Sequence, residues 1–216
     1  MNIFETLSQN KGTVSSALGK NLAKEVLEGQ TQILLECIDL SSYEAGLKTK
    51  KHIRSGAAKV VEIVAEKKPD WVAPHLEKLL PALAVEEPQT RWAVIRTIGF
   101  CAHLNKRVAQ NAIVYAEKYL LDKKDGLCLA SSADLFLGDF GAISNEDAQK
   151  VFPILELSME NLILNEQDWL LEALYKVFLN LVKEEQGIAI KFAEHWQYST
   201  RKSTQERARK ILRLRR

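Results

Sequence analysis

The 216-residue sequence predicts an all-α protein, a right-handed α-solenoid built from about five helical hairpins. Apolar residues recur at spacings of three and four, and no run of strict alternation indicates a strand. One helix pattern also returns along the chain at intervals of about 40 residues, the size of a helical-hairpin repeat. An apolar content of 46% and a charged content of 27% are typical of a globular protein with a core.

The repeated pattern places residues at i, i+4, i+7 and i+11, which lie on one face of a helix. Two occurrences begin with a polar residue, Arg91 or Thr204, and the others begin with an apolar one. The five sets are Ile53, Ala57, Val60 and Val64; Arg91, Ile95, Ile98 and Ala102; Leu129, Ala133, Phe136 and Phe140; Leu170, Leu174, Val177 and Leu181; Thr204, Ala208 and Ile211. Their first positions are 38, 38, 41 and 34 residues apart, so each set marks one unit of a repeat.

A second, more variable set of helices is expected between these, which completes a hairpin in each unit. The expected ranges are roughly Gln30–Leu40, Trp71–Leu83, Arg107–Leu121, Asp147–Leu162 and Ile188–Tyr198. Ser144 or Asn145 is a candidate N-cap for the fourth of them, and Pro81 is expected to kink or terminate the second. One hairpin cannot bury its apolar face alone, so the units are expected to stack.

The domain organisation follows from the repeats. Residues 1–28 are predicted to form an N-terminal capping helical segment, because Val14, Leu22 and Val26 keep a helical spacing. Residues 29–216 are predicted to form one continuous repeat domain, with the short basic last repeat acting as its C-terminal cap.

Residues 53–61 (IRSGAAKVV) and 90–96 (TRWAVIR) resemble the second helix of HEAT-like, armadillo-type repeats, in which a basic residue precedes small and aliphatic ones. The resemblance covers roughly residues 30–214. It implies the solenoid architecture and leaves the activity open, since such repeats serve scaffolds, adaptors and some enzymes.

The net charge of +2 conceals a strong asymmetry. Residues 201–216 hold eight of the 30 basic residues and one of the 28 acidic ones, a local charge of +7 that leaves −5 for the rest. A second basic cluster begins the first template helix, and the next template helix carries two arginines around a tryptophan. The candidate binding residues are Lys50, Lys51, Arg54, Arg91, Trp92, Arg96, Arg207, Arg209 and Lys210.

These basic residues have two interpretations. On the concave face of a solenoid, the first six would offer phosphate contacts and an aromatic platform. The basic C-terminal segment would bind RNA, DNA or an acidic partner, or fold back on the rest of the chain. Alternatively they are solvated helix surface and the charged face of a cap. Asp134, Glu172 and Asp168 take the corresponding positions farther along, where they would repel a phosphate backbone.

Catalytic and metal sites are not expected. Cys37, Cys101 and Cys128 each lie in an apolar stretch, which favours small buried thiols in a reducing, cytoplasmic compartment. No cluster has metal-ligand or nucleophile spacing, so no cofactor is expected, and no apolar run suits a membrane span. Gly138 and Gly141 are expected to allow close helix packing and to end a helix.

One enzymatic resemblance bears on function. Residues 136–139 (FLGD) and 168–171 (DWLL) resemble stretches of the alkylpurine DNA glycosylases that are built from HEAT-like repeats. That family implies a catalytic aspartate ahead of the first stretch and an arginine after the second, whereas this chain has Gly126, Ala130 and Glu172 there. The resemblance therefore implies at most an inactive relative.

The sequence predicts a non-catalytic interaction or scaffold module. Its partner is expected to be a protein, bound through the concave face or the basic C-terminal edge. The alternative is a DNA-binding protein of the DNA alkylation repair type. The sequence leaves the oligomeric state open.

Overall fold

The computed structural model describes residues 2–10, 17–46 and 50–215 of the chain. Every regular element within those ranges is a helix, which confirms the all-α prediction. The α-helices are α1 (Ile3–Gln9), α2 (Ala17–Leu27), α3 (Thr31–Ser41), α4 (Lys51–Lys67), α5 (Pro69–Val72), α6 (Pro88–Cys101), α7 (Lys106–Leu121), α8 (Leu127–Gly141), α9 (Asn145–Glu160), α10 (Gln167–Val177), α11 (Lys183–Trp196) and α12 (Lys202–Arg213). Segments of 3₁₀ helix lie at Ala73–Ala84, Lys123–Asp125 and Phe178–Asn180.

The chain divides into two compact units, Met1–Tyr115 and Ala116–Arg216, and the boundary falls within α7. In the first unit, α4 packs against α2, α3 and α6, and the 3₁₀ segment Ala73–Ala84 packs against α3 and α6. In the second unit, α8 packs against α9 and α10, and α12 packs against α10 and α11. Within each unit, alternate helices of the chain therefore lie side by side, as stacked hairpins require.

The repeated positions lie in the core of each unit, which confirms the template. Arg91 is half-buried, and every other template residue is buried. These buried residues are Ile53, Ala57, Val60, Val64, Ile95, Ile98, Ala102, Leu129, Ala133, Phe136, Phe140, Leu170, Leu174, Val177, Leu181, Thr204, Ala208 and Ile211. The five template helices are α4, α6, α8, α10 and α12, and the second set corresponds to α3, α5 with its 3₁₀ continuation, α7, α9 and α11.

The N-terminal segment contains helices α1 and α2. Leu22 and Val26 are buried on α2, as their spacing predicts, but Val14 lies outside the described residues. A separate helix, α1, precedes α2 and buries Ile3 and Leu7 against α3 and α4. With seven residues, α1 is too short for periodicity to reveal, and its order comes from this packing.

Pro81 does not terminate its helix. The segment continues to Ala84 as a run of 3₁₀ turns with Pro81 inside it, and Leu76 and Leu79 on it are buried. Proline has no N–H for the hydrogen bond of an α-helical turn, and its ring clashes with the carbonyl one turn earlier. The tighter 3₁₀ geometry keeps the apolar face of this segment directed at α3 and α6.

Three local predictions in the second unit are confirmed. Ser144 is the N-cap of α9, and its hydroxyl accepts a hydrogen bond from the N–H of Asp147. Gly138 lies where α8 meets α10, and an added Cβ there would be 2.7 Å from the Cα of Ala173. Gly141 ends α8 and is as closely packed.

Candidate functional site

The candidate residue Arg54 is buried, with 1% of its surface exposed. Its Nε and Nη2 donate to the two carboxylate oxygens of Glu87 at 2.7 and 2.8 Å, and its Nη1 donates to the carbonyls of Tyr43 and Glu44. Arg54 thus joins α4 to the start of α6 and to the turn after α3. This corrects the surface role that its position suggested: the guanidinium binds the protein's own groups.

The electrostatics of Glu87 follow from this ion pair. Burial alone would raise the pKa of its carboxyl, but hydrogen bonds from Arg54 and Thr90 outweigh burial and lower that pKa from its ordinary value. Glu87 also precedes Pro88, so the same residue is the N-cap of α6. The pair is a structural link within the first unit.

The two arginines of α6 are also drawn inward. Arg96 is 8% exposed, and its guanidinium lies 4.3 Å from the centre of the Phe100 ring on the same helix. Arg91 is half-buried and donates from Nη2 to the carbonyl of Glu86, and Trp92 between them is half-buried. Arg91 and Arg96, which were expected to offer phosphate contacts on the concave face, therefore contact neighbouring parts of the first unit.

The lysines at the start of α4 keep more exposure. Lys51 is exposed, whereas the Lys50 ammonium lies 5.5 Å from the centre of the Phe4 ring. Two of the five basic candidates in this unit, Arg54 and Arg96, are buried. They are therefore not available to contact a phosphate backbone.

The basic residues at the C-terminal end form a different arrangement. Arg207 and Lys210 of α12 both approach one carboxylate, Glu172 of α10, at 3.5 Å. The Arg207 guanidinium lies 5.4 Å from the ring centre of Trp169, and the Lys210 ammonium lies 5.4 Å from the ring centre of Tyr175. Two cations, two aromatic rings and one shared carboxylate thus occupy one face, which we call the α10–α12 face.

This face is accessible. Trp169 and Tyr175 are each 37% exposed, and Lys210 and the adjacent Arg209 are exposed. Lys176 continues the face toward α8 by donating to Asp139 at 2.5 Å. The sequence analysis predicted the cations of this face but missed the two rings. Their signal in the sequence is a pair of aromatic residues, Trp169 and Tyr175, six positions apart on one template helix.

Carboxylates expected to repel phosphate turn out to hold helices together. Asp168 is buried and accepts hydrogen bonds from the hydroxyls of Ser203 and Thr204 at the start of α12, with Arg201 as its ion-pair partner. Asp168 therefore anchors the first turn of α12 to α10. Among the three expected carboxylates, Glu172 alone lies on the accessible face.

Asp134 belongs to a buried polar cluster that sequence reasoning missed. Its carboxyl is fully buried, and burial, followed by the charge of Glu166, raises its pKa well above the ordinary value. Glu166 is paired with Lys123 at 2.8 Å, and Ser158 lies beside both. The cluster ties the 3₁₀ turn before α8 to the end of α9 and the start of α10.

The cysteine prediction needs one correction. Cys37 and Cys101 are buried, and burial raises the pKa of each thiol to about 12. Cys128 is exposed, because it lies in the first turn of α8, one position before the core register begins at Leu129. Among the described residues, no group of three or more histidine, cysteine, aspartate or glutamate side chains is placed to hold a metal ion.

The positions compared with the DNA glycosylases carry no equivalent pair. Gly126 adopts φ +86° immediately before α8, and Ala130 is buried in the first turns of that helix. Glu172 is engaged with Arg207 and Lys210.

In the described part of the chain, no helix is both long and apolar enough to cross a membrane.

No protein-family model matches the sequence, and no curated protein matches it. Solved structures match the fold along nearly the whole chain. An engineered protein superposes with a TM-score of 0.71 at 16% identity, covering 99% of this chain and 98% of its own. A second engineered protein gives 0.68 at 12% identity, with 99% and 96% covered.

The third neighbour is a designed armadillo repeat protein solved in complex with the peptide (KR)4. Its TM-score is 0.65 at 16% identity, with 97% of this chain and 98% of that chain covered. At such identities these matches define the fold alone. The chain has the fold of an armadillo-like helical-repeat solenoid.

Proposed function

We propose that this chain is a non-catalytic helical-repeat protein that binds a peptide segment of a partner protein on the α10–α12 face. One observation carries the proposal: two exposed rings, Trp169 and Tyr175, each lie beside a cation, and both cations share Glu172. Exposed aromatic rings and arginine are the side chains that most often dominate protein interfaces.

The composition of the face suits a peptide. The rings supply apolar contact area at a low entropic cost, and the charged groups supply directional hydrogen bonds. A designed protein of the same fold was solved with a peptide bound, which supports the general mode for this architecture. The two helices that carry the face are also linked to each other, because Asp168 of α10 binds residues at the start of α12.

A peptide display experiment tests the proposal. Random peptides are selected on the immobilised full chain, and the affinity of each selected peptide is measured for the wild type, Tyr175→Ala and Tyr198→Ala. Tyr198 is the matched control, because it is 82% exposed and lies in the segment between α11 and α12, outside the helices that form the face. We expect Tyr175→Ala to weaken binding about tenfold or more and Tyr198→Ala to leave it unchanged.

Two outcomes would overturn the proposal. Selected peptides could bind all three proteins equally, which would place the site elsewhere. Alternatively, the chain could bind no peptide but bind duplex DNA with an affinity that falls steeply with salt. That second outcome would favour the DNA-binding alternative.

A further inference from the structure

The charge of α12 is nearly all of one sign. Its twelve residues include five cations and a single acidic residue, Glu206. The buried residues Thr204, Ala208 and Ile211 define the side that packs in the second unit. Lys202, Arg209 and Arg213 are exposed on the opposite side, at spacings of seven and four that align them along the helix.

We call Lys202, Arg209 and Arg213 the outer cations, and Arg207 and Lys210 the inner cations. The two sets differ in their partners. Arg207 and Lys210 approach Glu172, and Arg215 beyond the helix donates to Glu194. Lys202, Arg209 and Arg213 have no ion pair with any residue that the structure describes. Like charges four positions apart, as in Arg209 and Arg213, destabilise a helix, so an anionic partner would relieve that repulsion.

Glu172 neutralises the inner cations, Arg207 and Lys210, only in part. Their contacts with Glu172 are 3.5 Å long, beyond the range of a strong charge-assisted hydrogen bond. One carboxylate therefore balances two cations only in part. The positive charge of α12 continues from Arg207 and Lys210, beside the rings, to Arg209 and Arg213 on the outer side.

We infer that the peptide bound by this protein is acidic, and that its carboxylates contact α12 while its apolar side chains contact Trp169 and Tyr175. The inference rests on the proposed function and specifies its ligand. Charge complementarity carries it, because the outer cations of α12 lack acidic partners within the described chain.

The same surface suits a nucleic acid less well. Glu172 and Glu206 lie among the cations and would meet an extended polyanion, whereas a short peptide can place its carboxylates between them. The outer side of α12 has no aromatic residue on which a base could stack. A peptide with a few carboxylates next to apolar residues therefore fits better.

Fluorescence anisotropy tests the inference with three labelled probes: a dodecapeptide that alternates glutamate and leucine, the peptide (KR)4, and a duplex DNA. The test variant is Arg209→Glu/Arg213→Glu, and both replaced side chains are exposed. The control Lys183→Glu/Lys191→Glu makes the same charge change at exposed positions on α11. Circular dichroism confirms that each variant is folded.

We expect the acidic peptide to bind the wild type, to lose about tenfold or more in affinity for the α12 variant, and to keep its affinity for the α11 control. Equal binding to both variants would overturn the inference. Binding of (KR)4 in place of the acidic peptide, with loss on Tyr175→Ala, would overturn it while supporting the proposed function. Binding of the DNA alone would overturn both.

Discussion

Replacing Arg54 with methionine removes the guanidinium that links α4 to Glu87 and keeps an unbranched apolar side chain in place of the arginine's aliphatic part. Glu87 would then be a buried carboxylate whose remaining side-chain donor is the hydroxyl of Thr90. The carbonyls of Tyr43 and Glu44 would lose the same donor. Removing one partner of a buried ion pair costs about 3–5 kcal/mol, and we expect a loss of this size in the free energy of unfolding.

Urea denaturation followed by circular dichroism measures this loss, and a double variant supplies the control. In Arg54→Met/Glu87→Met both charges are gone, and apolar replacement of a whole buried pair is often close to neutral. The double variant should therefore be more stable than Arg54→Met alone. A loss below about 1 kcal/mol for the single variant would refute the reasoning, as would a double variant as unstable as the sum of the two single ones.

The pH dependence gives a second readout of the same pair. The pKa of Glu87 lies below its ordinary value of 4.5 in the folded protein, so the unfolded chain takes up a proton at a higher pH than the folded one. The stability from the pair is therefore present above pH 4.5 and is lost as the pH falls through the folded-state pKa. The difference between wild type and Arg54→Met should shrink in acid.

Three further predictions concern the core and the thiols. Burial raises the pKa of Asp134 above its ordinary value of 3.8, so the free energy of unfolding should fall as the pH rises from that value. Asp134→Asn should reduce this fall and stabilise the protein at neutral pH, measured in the same urea assay. Gly138→Ala places a methyl group against the backbone of α10 and should cost about 1–3 kcal/mol, measured as a lower urea midpoint. A thiol reagent should label Cys128 rapidly in the folded protein and label Cys37 and Cys101 only on unfolding, as mass spectrometry of the labelled peptides would show.

The helical repeats could be predicted because their cause is local. Positions such as Ile53 and Phe136 must be apolar wherever a template helix packs against its neighbours. Apolar residues therefore recur in the sequence with the period of a helix. Gly138 carried a similar signal, because only a residue without a side chain allows two helices to approach so closely. The N-cap at Ser144 was also readable, since a cap depends on residues within one turn.

The partners of the charged residues could not be predicted in the same way. The sequence places Arg54 among lysines, and only the packing of α4 against α6 brings it to Glu87, 33 residues away. Asp134 and Glu166 likewise meet through the packing of α8 and α10. The periodicity of one sequence reveals which face of a helix is apolar, but it does not reveal which opposite charges share a distant contact.

Nuclear magnetic resonance mapping tests the central claim most directly. The tightest peptide from the display selection is titrated into the ¹⁵N-labelled full chain, and the amide resonances that shift are assigned. We predict that the shifts concentrate on residues 169–176 and 202–213, with the largest changes near Tyr175 and Arg209. Shifts concentrated on α4 and α6, or none at saturating peptide, would contradict a peptide site on the α10–α12 face.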